Sequence, residues 1–245
     1  MARGKLLVAV GVAALLAGLM ATFPARVAYQ WFAPPQLSLS GISGTVWRGA
    51  AAQGSAAGLF LGDLSWRFRP LSLLRLSLGY EIAARLPGGF IEGNVAVRPG
   101  GAVRFTNLAA AVPLASMRTA FPLEGIDANL TLRFDRLVLD DGFPTAMDGR
   151  VDVSGLVLRA LSPRPLGDYR AELQTNDDGI SGTVEDLSGV LDLRGNVTLA
   201  GNRAYSLIGQ VAANANAPAA VTEQLRFLGS PDSQGRREFR FEGSF

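Results

Sequence analysis

Apolar residues fall into two regimes along this chain. From Leu6 to Phe23 they run as LLVAVGVAALLAGLMATF, eighteen residues without a charge, flanked by Arg3 and Lys5 before and Pro24 and Arg26 after. At about 1.5 Å per residue such a run makes a helix ~27 Å long, close to the hydrocarbon thickness of a bilayer. From Gln36 onward the pattern changes to period two, the mark of half-buried strands. Leu74, Leu76, Leu78, Tyr80 and Ile82 alternate with Arg75, Ser77, Gly79 and Glu81. Leu64, Trp66 and Phe68 repeat the pattern, as do Leu130, Leu132 and Phe134. Shorter versions occur at Val95/Val97, Val103/Phe105, Val151/Val153, Leu191/Leu193, Val197/Leu199 and Phe239/Phe241. Together they predict about nine or ten strands.

Glycine, Asn and Asp separate these runs, at Pro87-Gly88-Gly89, Pro99-Gly100-Gly101, Asp140-Asp141-Gly142, Asn176-Asp177-Asp178-Gly179 and Gly201-Asn202. Each cluster suits a hairpin connection, so the strands are expected to follow one another as an antiparallel meander. After Phe134 the apolar phase moves to Leu137 and Leu139, which predicts a bulge near Asp135-Arg136. Two segments carry helical spacing: Leu114, Met117 and Phe121, and Val221, Leu225 and Leu228. A loose repeat of glycine before alternating residues begins at Gly44, Gly93, Gly149, Gly182 and Gly195. It points to a curved sheet in which glycine relieves crowding.

The fold class expected is mainly β: a single N-terminal transmembrane helix, then a curved antiparallel β-meander with two short capping helices. Its parts are a cytoplasmic tail over 1–5, a transmembrane helix over 6–23, a linker over 24–35 and an exported β-domain over 36–245. A cleaved signal peptide has the same basic start and apolar stretch, but Ala21-Thr22-Phe23-Pro24-Ala25 offers no clean A-x-A, which favours a retained anchor. Basic residues concentrate before the span, which keeps the N-terminus in the cytoplasm. Tyr29, Trp31 and Phe32 suit an interfacial aromatic belt, and Pro34-Pro35 a stiff exit from the membrane.

Of the 23 basic residues two precede the span, leaving 21 against 21 acidic in the remainder. No basic block with interleaved aromatics is present, so nucleic acid is not an expected partner. The chain has no histidine and no cysteine, which excludes Ser-His-Asp and Cys-His catalysis, thiolate metal sites and disulfides. The sole lysine is Lys5, so no phosphate-binding GxxxxGK[ST] loop exists. Asp140/Asp141, Asp177/Asp178 and Glu185/Asp186 are the remaining acid pairs. Turn chemistry is their expected role rather than calcium binding or glycoside hydrolysis, because the first two pairs end in glycine and EF-hand spacing is absent. No enzyme activity and no cofactor is expected.

The most distinctive cluster is Gly44, Thr45, Val46, Trp47, Arg48 and Gly49, followed by Trp66 within Leu64-Ser65-Trp66-Arg67-Phe68 and by Pro70-Leu71. On a strand Trp47 would share a face with Thr45, and pairing could bring it near Trp66. Both an aromatic core anchor and a partner contact fit these residue types. At this cluster the chain resembles the type II secretion system protein N family of Gram-negative bacteria. The likeness rests on GTVWRG, on LSWRF with Pro70-Leu71, on the layout of tail, span and β-rich remainder, and on Leu228-Gly229, Asp232 and Gly235 leading into the strand from Glu238 to Phe245.

The resemblance implies a non-enzymatic inner-membrane component with a periplasmic β-domain, whose partners are other type II secretion inner-membrane and secretin-linked components. Two other architectures remain compatible with the residues. Phe239, Phe241 and Phe245 alternate to the C-terminus as in an outer-membrane β-barrel, although many runs are shorter than the ~9 to 11 residues of a spanning strand. A long sheet with one apolar face would also suit a periplasmic lipid-binding groove.

Overall fold

The computed structural model describes residues 2–56, 58–117 and 124–244, with the side chains of the first helix described from Val10 onward. The chain opens with helix α1 (Ala2–Ala21) and helix α2 (Ala25–Phe32). The strands that follow are β1 (Leu37–Ser40), β2 (Ser43–Gly44), β3 (Arg48–Ala56), β4 (Leu59–Phe68), β5 (Leu78–Leu86), β6 (Gly89–Val97) and β7 (Val103–Pro113). Then come β8 (Ile126–Asp140), β9 (Phe143–Leu158), β10 (Gly167–Asn176), β11 (Gly179–Gly189), β12 (Leu191–Ala200) and β13 (Ala204–Ala213). Helix α3 (Ala219–Leu225) separates these from β14 (Arg237–Ser244).

All fourteen strands form one antiparallel sheet, in the order β1, β3 and then each successive strand to β14, with β2 paired to β3 alone. The first and last strands lie at opposite edges, so the sheet is open. A membrane-spanning barrel must close to satisfy its backbone, and this sheet does not. Hairpin chemistry accounts for the meander: at the β8–β9 turn Asp141 and Gly142 both take positive φ (48° and 76°), the requirement of a tight turn whose twist matches its strands.

The register carries one unbroken apolar row across the sheet. Ala51, Leu64, Ala84, Ile91, Ala110, Leu132, Val151, Ala171, Val184, Gly195, Gly209 and Phe239 are successive cross-strand partners from β3 to β14, with no polar residue among them. The neighbouring row on the other face runs Ala50, Ser65, Ala83, Glu92, Ala109, Arg133, Arg150, Glu172, Thr183, Asn196, Ile208 and Arg240, polar at eight of its twelve positions. That polar face is laced by cross-strand pairs, Arg136 with Asp148 and Arg170 with Asp152, both at 2.6 Å. Among the described residues no second layer covers the apolar face along its length. The accessible surface is accordingly 15581 Å², against about 10,500 Å² for a compact chain of this mass.

Large side chains on the apolar face lie across glycines of the adjacent strand, which explains the glycine repeat. A Cβ on Gly149 would stand 2.7 Å from Phe134 Cδ1, on Gly209 2.6 Å from Phe239 Cζ, and on Gly182 2.8 Å from Leu173 Cδ2. The missing side chain gives the neighbouring ring or leucine a floor, and Phe134 and Phe239 are buried as a result.

Several sequence expectations meet the structure differently. Among the described residues strands number fourteen rather than nine or ten: β1 and β2 are short, the inward positions of β3 carry alanine and glycine, and Ala171, Gly182 and Gly209 interrupt the apolar rows of β10, β11 and β13. Leu191/Leu193 and Val197/Leu199 belong to one strand, β12. The alternation from Leu74 is not strand at first: Pro70–Arg75 is a 3-10 turn, Leu76 is left-handed (φ 51°), and β5 begins at Leu78. Serine chemistry holds that turn, since Ser72 Oγ donates to the Arg69 carbonyl (2.7 Å) and accepts from Gly79 N–H (2.8 Å). The stretch 24–35, expected as a linker, contains α2.

The bulge forms as expected, with a register shift between Phe134 and Arg136. Val221, Leu225 and Leu228 lie on α3 and the 3-10 turn after it, with Val221 buried against the sheet end. Leu114 and Met117 form a 3-10 turn, whereas Phe121 lies outside the described residues. Among the described residues no helix is long and apolar enough to cross a membrane.

Candidate functional site

Sequence chemistry and geometry converge where the two N-terminal helices meet the first strands. Pro24 (φ −67°, ψ 133°) is extended and separates α1 from α2, turning the chain back toward the sheet. Gly44 takes φ 84° at the end of β2, a conformation costly for any side chain, and opens a tight turn. Thr45 N–H donates to the Arg48 carbonyl (2.9 Å) and Arg48 N–H donates to Thr45 Oγ1 (3.2 Å). Thr45, Val46 and Trp47 are therefore a knuckle between β2 and β3, not a strand with alternating faces.

The knuckle is what grips the helices. Val46 N–H donates to the Phe23 carbonyl (3.1 Å), and Pro24 bridges Thr45. Trp47 Nε1 donates to the Met20 carbonyl (2.7 Å), which also accepts from Phe23 N–H (3.3 Å) where α1 ends. The Trp47 ring meets Phe68 edge-on with centroids 4.8 Å apart, and Phe68 meets Tyr80 at 5.5 Å. Trp66 works from the far side: its Nε1 donates to the Thr45 carbonyl (3.2 Å) while its indole lies over Gly49 and packs on Ala25, Ile42 and Ala51. Arg48 is exposed and faces Arg67 across β3 and β4.

Sequence reasoning missed α2's share. Tyr29 OH donates to the Leu37 carbonyl and accepts from Leu39 N–H, both at 3.1 Å, which fastens β1 to the helix. Arg26 Nη2 donates to the Ile42 carbonyl (3.3 Å). The i, i+4 spacing of Ala25 and Tyr29 was the available signal, masked by the prolines on either side.

The first two acid pairs lie at hairpin turns, whereas Glu185 and Asp186 lie within β11. Asp141 supplies a positive φ, Asp178 N–H donates to Asn176 Oδ1 (3.2 Å), and Asp186 Oδ1 accepts from Leu193 N–H (2.8 Å). Among the described residues no group of three or more His, Cys, Asp or Glu side chains could hold a metal ion. A recess of about 790 Å³ lies over the polar face between β8 and β12, but its Asp148 is already bound by Arg136 and the Thr175 N–H.

Asp168 is held below its ordinary carboxylate value by the Gly155 N–H and then by the Ser188 hydroxyl. A depressed folded pKa means the contribution is complete above the unfolded value of about 3.9 and vanishes as pH falls through the folded one. Asp168→Asn is thus expected to melt lower than the parent at pH 7 and to converge with it as pH falls through the lowered carboxylate value, as read from thermal unfolding at each pH.

A model of the family described as type II secretion system (T2SS), protein N, matches residues 35–240. The chain belongs to the type II secretion system protein N family. It is 27% identical to the type II secretion system protein N of Aeromonas hydrophila over 99% of both chains. It is also 25% identical to that of Pectobacterium carotovorum subsp. carotovorum over 90% of this chain and 89% of the relative. The corresponding protein of Vibrio cholerae is 26% identical over 94% of each. No solved structure matches. The span matched to the protein N family begins just before β1 and ends within β14, so it contains the knuckle and nearly the whole sheet.

Proposed function

We propose that this protein N family member is a membrane-tethered, non-catalytic component of the type II secretion machinery. Leu6–Phe23 sits in the inner membrane with the N-terminus in the cytoplasm, and the sheet stands in the periplasm, where it contacts other inner-membrane and secretin-linked secretion components. The observation that carries this reading is the grip of the GTVWRG knuckle on the end of α1, through Val46 to Phe23 and Trp47 to Met20. A motif spent on fastening the sheet to that helix makes sense if the helix fixes the sheet's position. Support comes also from α1 itself: Val10, Leu15, Leu16, Leu19 and Met20 are exposed around its circumference, with no protein layer over them.

Fractionating the envelope and sequencing the mature N-terminus tests the anchor. Met1 intact in the inner membrane, resistant to carbonate extraction, is the expected result. A chain starting near Ala25, or one released in soluble form, would overturn it.

A second reading is favoured by the uninterrupted apolar row from Ala51 to Phe239. A periplasmic groove binding acyl chains would use that face, and phospholipid recovered by mass spectrometry from the purified full chain, lost on placing an arginine at Leu132, would support it.

A further inference from the structure

One end of the sheet gathers exposed leucines and arginines without acid partners, beside the end of α1. The ring series Trp47, Phe68 and Tyr80 leads from the Met20 carbonyl to β5, and the segment after Phe68 is the Pro70–Arg75 turn. Leu71, Leu74 and Leu76 on this segment are 75%, 84% and 79% exposed. Trp31 and Phe32 at the end of α2 are 68% and 74% exposed. So concentrated a set of open leucines is unusual in water.

Beneath the turn, on the polar face, lies a recess of about 400 Å³ lined by Arg69, Arg75, Arg98 and Arg104 together with Asn94 and Thr106. Elsewhere on this face Arg136 pairs with Asp148 and Arg170 with Asp152. Among the described residues no carboxylate pairs with Arg75, Arg98 or Arg104. Arg104 Nε is buried without a hydrogen-bond partner. Burial, followed by the charges of Arg98, Arg136 and Arg75, pushes the Arg104 pKa down, so an added anion there would relieve repulsion.

We propose that this end of the sheet docks on an anionic phospholipid surface, the leucines of the 70–76 turn entering the acyl boundary while Arg75, Arg98 and Arg104 take lipid phosphates. Two features choose a bilayer as the occupant. Apolar residues flank a cationic recess, the pairing that interfacial segments present to anionic lipid. The patch is also continuous with α1 through Trp47 and Met20, which sets it at the level where an embedded α1 leaves the membrane. The proposal rests on the anchored reading for that placement.

The absence of native cysteine allows a single environment-sensitive label at any chosen position. Full-length chains carrying Leu16→Cys, Leu74→Cys or Phe227→Cys are labelled and reconstituted into vesicles of phosphatidylethanolamine with phosphatidylglycerol, containing quencher-bearing acyl chains. Phe227 is 84% exposed after α3, at the other end of the sheet, and serves as the remote control. Quenching at position 74 of about twofold or more relative to position 227 is expected, approaching that at position 16. Charge reversal at Arg75, Arg98 and Arg104 together, or vesicles of phosphatidylcholine alone, is expected to reduce it.

Quenching at position 16 without quenching at 74 overturns the docking while leaving the anchor in place, and would assign the leucines to a protein partner. No quenching at either position overturns both readings. Quenching at 74 that is indifferent to lipid charge and to arginine reversal overturns the phosphate contacts. Far-UV circular dichroism of each variant checks that the sheet is intact.

Discussion

Gly149→Val is expected to destabilise the sheet by about 3 to 5 kcal/mol, the combined cost of overpacking and of a strained backbone. Gly149 lies on β9 directly opposite Phe134 of β8, with φ 155°. A Cβ there would stand 2.7 Å from both Phe134 Cα and Phe134 Cδ1, and would also press on the Arg133 carbonyl. Rotating the ring cannot relieve a clash with backbone, and β8 cannot retreat because Leu108 of β7 pairs with Phe134 on its other side. The ring would have to leave the glycine floor that buries it. Gly201→Ala is the matched control, since nothing lies within 4 Å of a Cβ at that turn. Guanidinium unfolding of the detergent-solubilised full chain, followed by far-UV circular dichroism, should show a large midpoint shift for the first variant and almost none for the second. Equal midpoints would mean that the glycine floor contributes little to stability.

That glycines matter was visible in the sequence, but the partner of each was not. Period two reveals a strand when large apolar residues alternate with polar ones, as from Leu130 to Phe134. It fails in β3, RGAAAQGSA, where the apolar face is built of alanine and glycine and the bulk comes from Leu64 and Trp66 across the register. It also overreaches: Leu74 and Leu76 continue the alternation of β5, yet Pro70 and the serine hydroxyls fold them into a turn. The phase slip after Phe134 announced its bulge because an extra residue moves every later side chain to the other face. The cluster at 44–49 was recognisable by residue type, whereas its geometry was not. A positive φ at Gly44 converts the apparent strand into a knuckle, and the carbonyls it meets belong to residues 20 and 23, far upstream in the chain.

Trp66→Ala is expected to cost about 3 kcal/mol, near the lower end of the range for removing a large aromatic from a core, because the indole is only partly buried. The loss has three parts. The ring leaves Gly49 uncovered, the cluster of Ala25, Ile42 and Ala51 loses its largest neighbour, and the Thr45 carbonyl loses the Nε1 donor at 3.2 Å. Trp66→Phe restores the packing without the donor and should recover all but about 1 kcal/mol. Trp47→Ala removes a ring held by Phe68 on one side and should cost less, about 2 kcal/mol. The two tryptophans differ in where the damage appears. Loss of Trp66 unseats α2 from β1 and β3, so amide exchange should rise in Leu37–Ser40 and in the first residues of β3. Loss of Trp47 frees the end of α1 while leaving the Tyr29 bonds to Leu37 and Leu39 in place, so exchange should rise around Phe23 and Val46 instead. Identical exchange patterns in the two variants would show that the knuckle opens as a single unit, and that the division of labour between the two indoles is wrong.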